Sequence, residues 1–120
     1  MTIQNKLVSL GMWGEMAEQV VLGDVATGLT AAGSTQATAL PIIASANIFG
    51  TVASGTGAIL AQTDGARIVV RNGGANALLV YAPVGGYMNG TQNGSLSIAT
   101  TKNALFVSAD GINWYSILSA

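Results

Sequence analysis

The chain has 120 residues, the size of one ordinary domain, and half of them are hydrophobic while only 8% are charged, against roughly 25% charged in an average soluble domain. Its four cations, Lys6, Arg67, Arg71 and Lys102, are scattered and the net charge is −1, so no basic stripe exists to neutralise a nucleic-acid backbone. There is no cysteine and no histidine, which removes disulfides, thiolate nucleophiles, zinc–thiolate sites and the commonest general base together, and fits assembly in a reducing cytoplasm.

At the start of the chain the apolar residues after Lys6 are broken by Gly11, Gly14, Glu15 and Glu18, a pattern that lacks the long apolar core of a signal peptide. Met12, Trp13, Met16, Ala17, Val20 and Val21 recur at helical spacing with Glu15, Glu18 and Gln19 on the other side, which predicts one short amphipathic helix ended by Gly23. Asp24 to Gln36 is rich in Gly, Ala, Ser and Thr and reads as a loop or extended arm. Residues 37–44 and 47–53 are apolar and partly β-branched but interrupted by Pro41, so they are expected as edge strands. The uncharged stretch Val25–Thr63 contains that proline, several glycines and many polar residues; a membrane-spanning helix needs about twenty predominantly apolar residues in a row, and no membrane partner is expected.

The second half predicts three hairpins: Ala58–Thr63 with Ala66–Arg71 across Asp64-Gly65, Arg67–Asn72 with Ala77–Ala82 across Gly73-Gly74, and Ala104–Ala109 with Ile112–Leu118 across Asp110-Gly111. Aspartate and glycine at these positions suit the positive φ of tight turns. Leu78 to Tyr81 is a continuous apolar run, expected of a strand covered on both faces, and Ser95-Leu96-Ser97-Ile98 alternates as a strand with one wet face; Asn89-Gly90 and Asn93-Gly94 frame the loop before it. The expected fold is therefore all-β: an antiparallel β-sandwich or jelly-roll-like small barrel with one short N-terminal amphipathic helix. Residues 1–36 form the helix and arm and residues 37–120 the antiparallel β domain, all within one structural unit.

No arrangement for catalysis emerges. Asp64 and Asp110 each precede a turn glycine, a position that backbone geometry already explains, and Glu15 and Glu18 read as solvated helix residues. The serines and threonines lack an adjacent base, the glycine clusters lack the pattern and following helix of a phosphate loop, and no run of alternating oxygen ligands suits calcium. No catalytic residue, metal site or cofactor is expected. Trp114 and Tyr115 would offer a sugar platform only if they shared a face, and in a strand they alternate.

Ala32-Gly33-Ser34-Thr35-Gln36-Ala37-Thr38-Ala39-Leu40 and Gly55-Thr56-Gly57-Ala58-Ile59-Leu60 resemble segments of small virion proteins of tailed bacteriophages. So do Val70-Arg71-Asn72-Gly73-Gly74, Leu79-Val80-Tyr81-Ala82-Pro83, Met88-Asn89-Gly90, Phe106 and Trp114-Tyr115-Ser116, with Leu10-Gly11-Met12 through Glu15-Met16-Ala17 near the start. The resemblance spans most of the chain and rests on turns and strands rather than on a catalytic signature. It implies a non-enzymatic virion component, above all a capsid decoration or cement protein that packs against the major capsid protein, with a head-fibre, tail-fibre or neck component as the alternative and a carbohydrate-binding module behind both. The scarcity of charge implies surface covered by neighbours, hence a homo-oligomer, a trimer before a dimer, placed on the capsid surface after assembly in the host cytoplasm. Leu10, Met12, Trp13, Met16 and Val20 are the residues expected to meet the partner, since large apolar side chains dominate interface energy.

Overall fold

The computed structural model describes residues 24–120. These form eleven strands: β1 (Val25–Thr30), β2 (Leu40–Pro41), β3 (Ala46–Thr51), β4 (Gly57–Ile59), β5 (Ala66–Asn72), β6 (Leu78–Tyr81), β7 (Tyr87–Met88), β8 (Thr91–Gln92), β9 (Ser95–Ile98), β10 (Asn103–Ser108) and β11 (Asn113–Leu118), with one 3-10 turn at Gln36–Thr38. The expected helix and its residues Leu10, Met12, Trp13, Met16 and Val20 lie outside the described residues.

The strands make two sheets, one in the order β1-β3-β5-β10-β11-β7-β8 and one in the order β2-β4-β6-β9. Up to β6 the chain alternates between them, and within each sheet the successive strands are parallel: β1 with β3 with β5, and β2 with β4 with β6. The body is thus a β-solenoid of stacked coils, each taking roughly twenty residues, near the low end for solenoid repeats. After the β7–β8 hairpin the direction reverses, because β9 runs antiparallel to β6 and β10 antiparallel to β5, and β11 folds back on β10.

This overturns the expected sandwich or jelly-roll barrel, and the physical reason lies in the turns. Asp64-Gly65 and Gly73-Gly74 do break the strands, but β4 belongs to the small sheet, β5 to the large one and β6 to the small one again. Two of the three expected hairpins are therefore corners between sheets. The third is a true hairpin, with Leu105 opposite Ile117 and Val107 opposite Tyr115. The arm expected over Asp24–Gln36 contains β1, whose Val25 pairs with Ala46, so the β body begins ahead of residue 37. β3 lies inside its sheet, whereas β2 with Pro41 does lie at an edge, where a missing N–H costs nothing.

The core fills the space between the sheets. Phe49, Val70, Phe106 and Trp114 come from the large sheet and Ala58, Leu78, Val80 and Ile98 from the small one, and Ile42, Leu60 and Ala82 close the corners. Four of the core residues, Ala31, Ala58, Ala82 and Ala104, are alanine, and close approach of the backbones is seen at two glycines. At Gly57 the backbone of Leu79 leaves no room for even one methyl group, and at Gly74 a Cβ would come within 2.6 Å of the Val52 nitrogen. Coil stacking also buries two asparagines. The Asn72 amide donates to the carbonyls of Asn76 and Ile98, each at 2.8 Å, and its oxygen accepts from Gly74 N–H at 2.9 Å. Asn47 donates to the carbonyls of Ala44 and Val69.

Candidate interaction surfaces

The corners that follow β2, β4 and β6 stack along one side of the solenoid, tied by backbone bonds from Ile42 to Ile59, Leu60 to Tyr81 and Ala82 to Gly94. Three clefts open there. The largest, about 540 Å³, runs between Ile43 and Arg67 past Asp64, with Trp114 at its base. A second, about 320 Å³, shares Gly65–Arg67 with it and is bounded by Tyr115. A third, about 200 Å³, lies beyond Gln62 between Val84 and Ile112.

Large apolar side chains protrude around these clefts: Ile43 is 88% exposed, Val84 72%, and Tyr115 and Ile112 are exposed too. Ile43 and Val84 are held out by the corners after β2 and β6, Ile112 by the β10–β11 turn and Tyr115 by β11 itself. The Asp110–Asn113 turn carries Ile112 on a rigid frame. The Asp110 carboxylate accepts from Asn113 N–H at 2.8 Å, from the Asn113 amide at 2.9 Å and from Ile112 N–H at 2.9 Å. These bonds, the Asn113 N–H foremost, hold its carboxyl well below the usual carboxylate range. Val84 sits beside Gly85, whose N–H donates to the Asn93 oxygen at 2.6 Å. Asp110 is thus a turn residue, as its position before glycine suggests, with backbone donors taking up its oxygens.

A row of apolar side chains also crosses the outer face of the large sheet, the face that carries Arg67 and Tyr115 of the clefts. Cross-strand register sets Val25 beside Ala46, Ala46 beside Val69, Val69 beside Leu105 and Leu105 beside Ile117. This row crosses five strands without one polar side chain, and Val25, Val69 and Ile117 are 63%, 43% and 69% exposed. Arg67 and Arg71 flank Val69 on its own strand, and Arg71 donates to the Asn103 side chain at 2.8 Å.

Both surfaces expose mainly apolar side chains. The large cleft joins an apolar floor to a single carboxylate, Asp64, and a single guanidinium, Arg67. Among the described residues no group of three or more His, Cys, Asp or Glu is placed to hold a metal ion, and no helix is long and apolar enough to cross a membrane. Trp114 is buried and donates its indole N–H to the Gly111 carbonyl at 3.2 Å, whereas Tyr115 points outward; the two rings do not form a shared sugar platform. The sequence reading missed Ile43, Val84 and the Val25–Ile117 row. Its only available signal was Arg67-Ile68-Val69-Val70-Arg71, where an apolar residue sits on the same strand face as two arginines.

Compared with protein-family models, curated proteins and solved structures, the chain matches none.

Proposed function

We propose that this chain is a non-enzymatic structural subunit that packs into a larger particle through its corner edge. The observation that carries this reading is the set of apolar side chains, Ile43, Val84, Ile112 and Tyr115, held outward around three adjoining clefts. An exposed apolar patch on a rigid frame is the usual mark of a docking surface. The low charge of the whole sequence and its resemblance to small virion proteins of tailed phages support a phage head as the particle, with the chain as a decoration or cement protein set on the major capsid protein, as a homo-oligomer and by preference a trimer. The solenoid architecture favours a fibre or neck component as the second reading.

Copy number separates the two. A cement protein is present in hundreds of copies per particle on a quantitative gel of purified virions, whereas a handful of copies assigns the chain to a fibre or neck. Attachment is tested with an Ile43→Asp, Val84→Asp double variant, both positions being exposed. The variant keeps its β-sheet circular dichroism and loses binding to particles that lack the protein. Unchanged binding would remove the corner edge from the interface.

A further inference from the structure

Among the described residues each sheet has two end strands, β1 and β8 in the large sheet and β2 and β9 in the small one. End strands leave main-chain groups open to pairing with another chain, and proteins guard them with brevity, proline, bulges or charge. Three of the four are guarded. β2 and β8 are two residues long, β2 with Pro41, and β1 has register shifts around Gly28, whose φ is +63°. β9 has none of these devices: its four residues pair with β6 without a shift, and from Asn72 to Thr101 the chain contains no Asp, Glu, Lys or Arg. The Gly94 carbonyl accepts from Ala82 N–H at 3.0 Å, and main-chain direction alternates along a strand. Leu96 and Ile98 therefore turn to β6, while the N–H and C=O groups of Ser95 and Ser97 point off the sheet edge.

The space beside that edge has an apolar floor. The turn from Ala99 to Lys102, closed by a main-chain bond of 3.1 Å, leads from β9 directly into β10, and β11 continues the large sheet past β10, where the small sheet has no further strand. Leu118 of β11 lies opposite Ala104 and shares its inward face, yet it is 45% exposed while Ala104 is buried. A second copy joined β9 to β9 would drive its own β10 and β11 into those of the first, so the position admits a single strand and not another whole sheet. We propose that β9 accepts one extended segment of a partner protein, which becomes a fifth strand of the four-stranded small sheet. The segment is uncharged and free of proline where it pairs, with apolar side chains turned onto Leu118 and polar ones outward beside Ser95 and Ser97. This edge is separate from the corner edge.

The probe is a fluorescein-labelled synthetic peptide of six alternating threonine and valine residues between two lysines, titrated against the full chain and followed by anisotropy. It binds saturably. N-methylation of one alternate set of its amides lowers affinity at least tenfold and methylation of the other set leaves it within twofold, because only one edge of the peptide faces β9. Ser97→Pro removes an outward N–H that β6 does not use; it keeps the β-sheet circular dichroism and also lowers affinity at least tenfold, and Leu118→Ser lowers it at least threefold. The methylated peptides, titrated against the parent chain, decide the matter even where a variant misfolds. No saturable binding, equal effects of the two methylation patterns, or undiminished binding by folded Ser97→Pro or Leu118→Ser would each overturn the proposal. The Ile43→Asp, Val84→Asp variant binds the peptide as the parent does; loss of binding there would place the peptide at the corner edge and refute β9 as its site.

Discussion

The Asp110 carboxylate takes three donors from Ile112 and Asn113, and a charged oxygen accepts such bonds more strongly than a protonated one. Its pKa is lowered in the folded chain, so the stabilisation is fully present above the unfolded-state value of about 3.9 and is lost as the pH falls toward the folded-state value. Asp110→Asn, which keeps one acceptor and removes the charge, is less stable than the parent at neutral pH. The gap narrows progressively as the pH falls below about 4, as read from urea midpoints at stepped pH. A constant gap across that range would show that the charge contributes nothing. Asn72 makes a contrasting case, being fully buried with both polar atoms paired. Asn72→Ala leaves the Gly74 N–H and the carbonyl of Ile98 without that partner, and orphaned buried groups cost about 1–3 kcal/mol each. Chemical denaturation should show a loss of about 3 kcal/mol.

Strand pairing reveals how far local sequence signals reach. The Asp110-Gly111 hairpin was legible because strands alternating inward and outward flank a dipeptide that turns easily, with Gly111 at φ +76°. Asp64-Gly65 carries the same signal, Gly65 at φ +66°, yet it leads from one sheet to the other. A positive φ bends the chain but does not choose the next neighbour; that choice depends on residues about twenty positions away, one coil up or down. For the same reason the Val25–Ile117 row was illegible, since its members are brought together by register alone, and in Ile68-Val69-Val70 the inward and outward residues are all apolar. Glycine geometry at the coils is testable. Gly57→Ala pushes a methyl group into the Leu79 backbone beneath Tyr81 and should cost about 1–3 kcal/mol. Gly85→Ala meets open space and carries only its φ of +83°, a cost of about 1 kcal/mol. Urea unfolding with unchanged m-values checks the order; equal losses at the two sites would mean that the coils have slack to absorb the methyl.

At the scale of the whole molecule, the edge proposed to dock carries mainly apolar side chains, with Asp64 and Arg67 lining its large cleft. Surface charges are screened over about 10 Å at 0.1 M salt, whereas apolar contacts are not. Retention of the protein on purified particles should therefore change little from low to moderate ionic strength, with or without EDTA. Release by modest salt or by the chelator alone would identify charge or a bound metal as the attachment. The backbone direction of the coils has a different consequence. Parallel coils can in principle be extended indefinitely, each new turn laid on the last, but β9 and β10 lie against β6 and β5 in the opposite sense. That reversal is a full stop. Past β6 the small sheet ends on β9, and past β5 the large sheet runs on through β10, β11, β7 and β8, so the solenoid is polar, with parallel coils from β1 and β2 to β5 and β6 and a reversed cap after them. Among the described residues the parallel coil order therefore runs from β1 and β2 as far as β5 and β6 and is not continued past them.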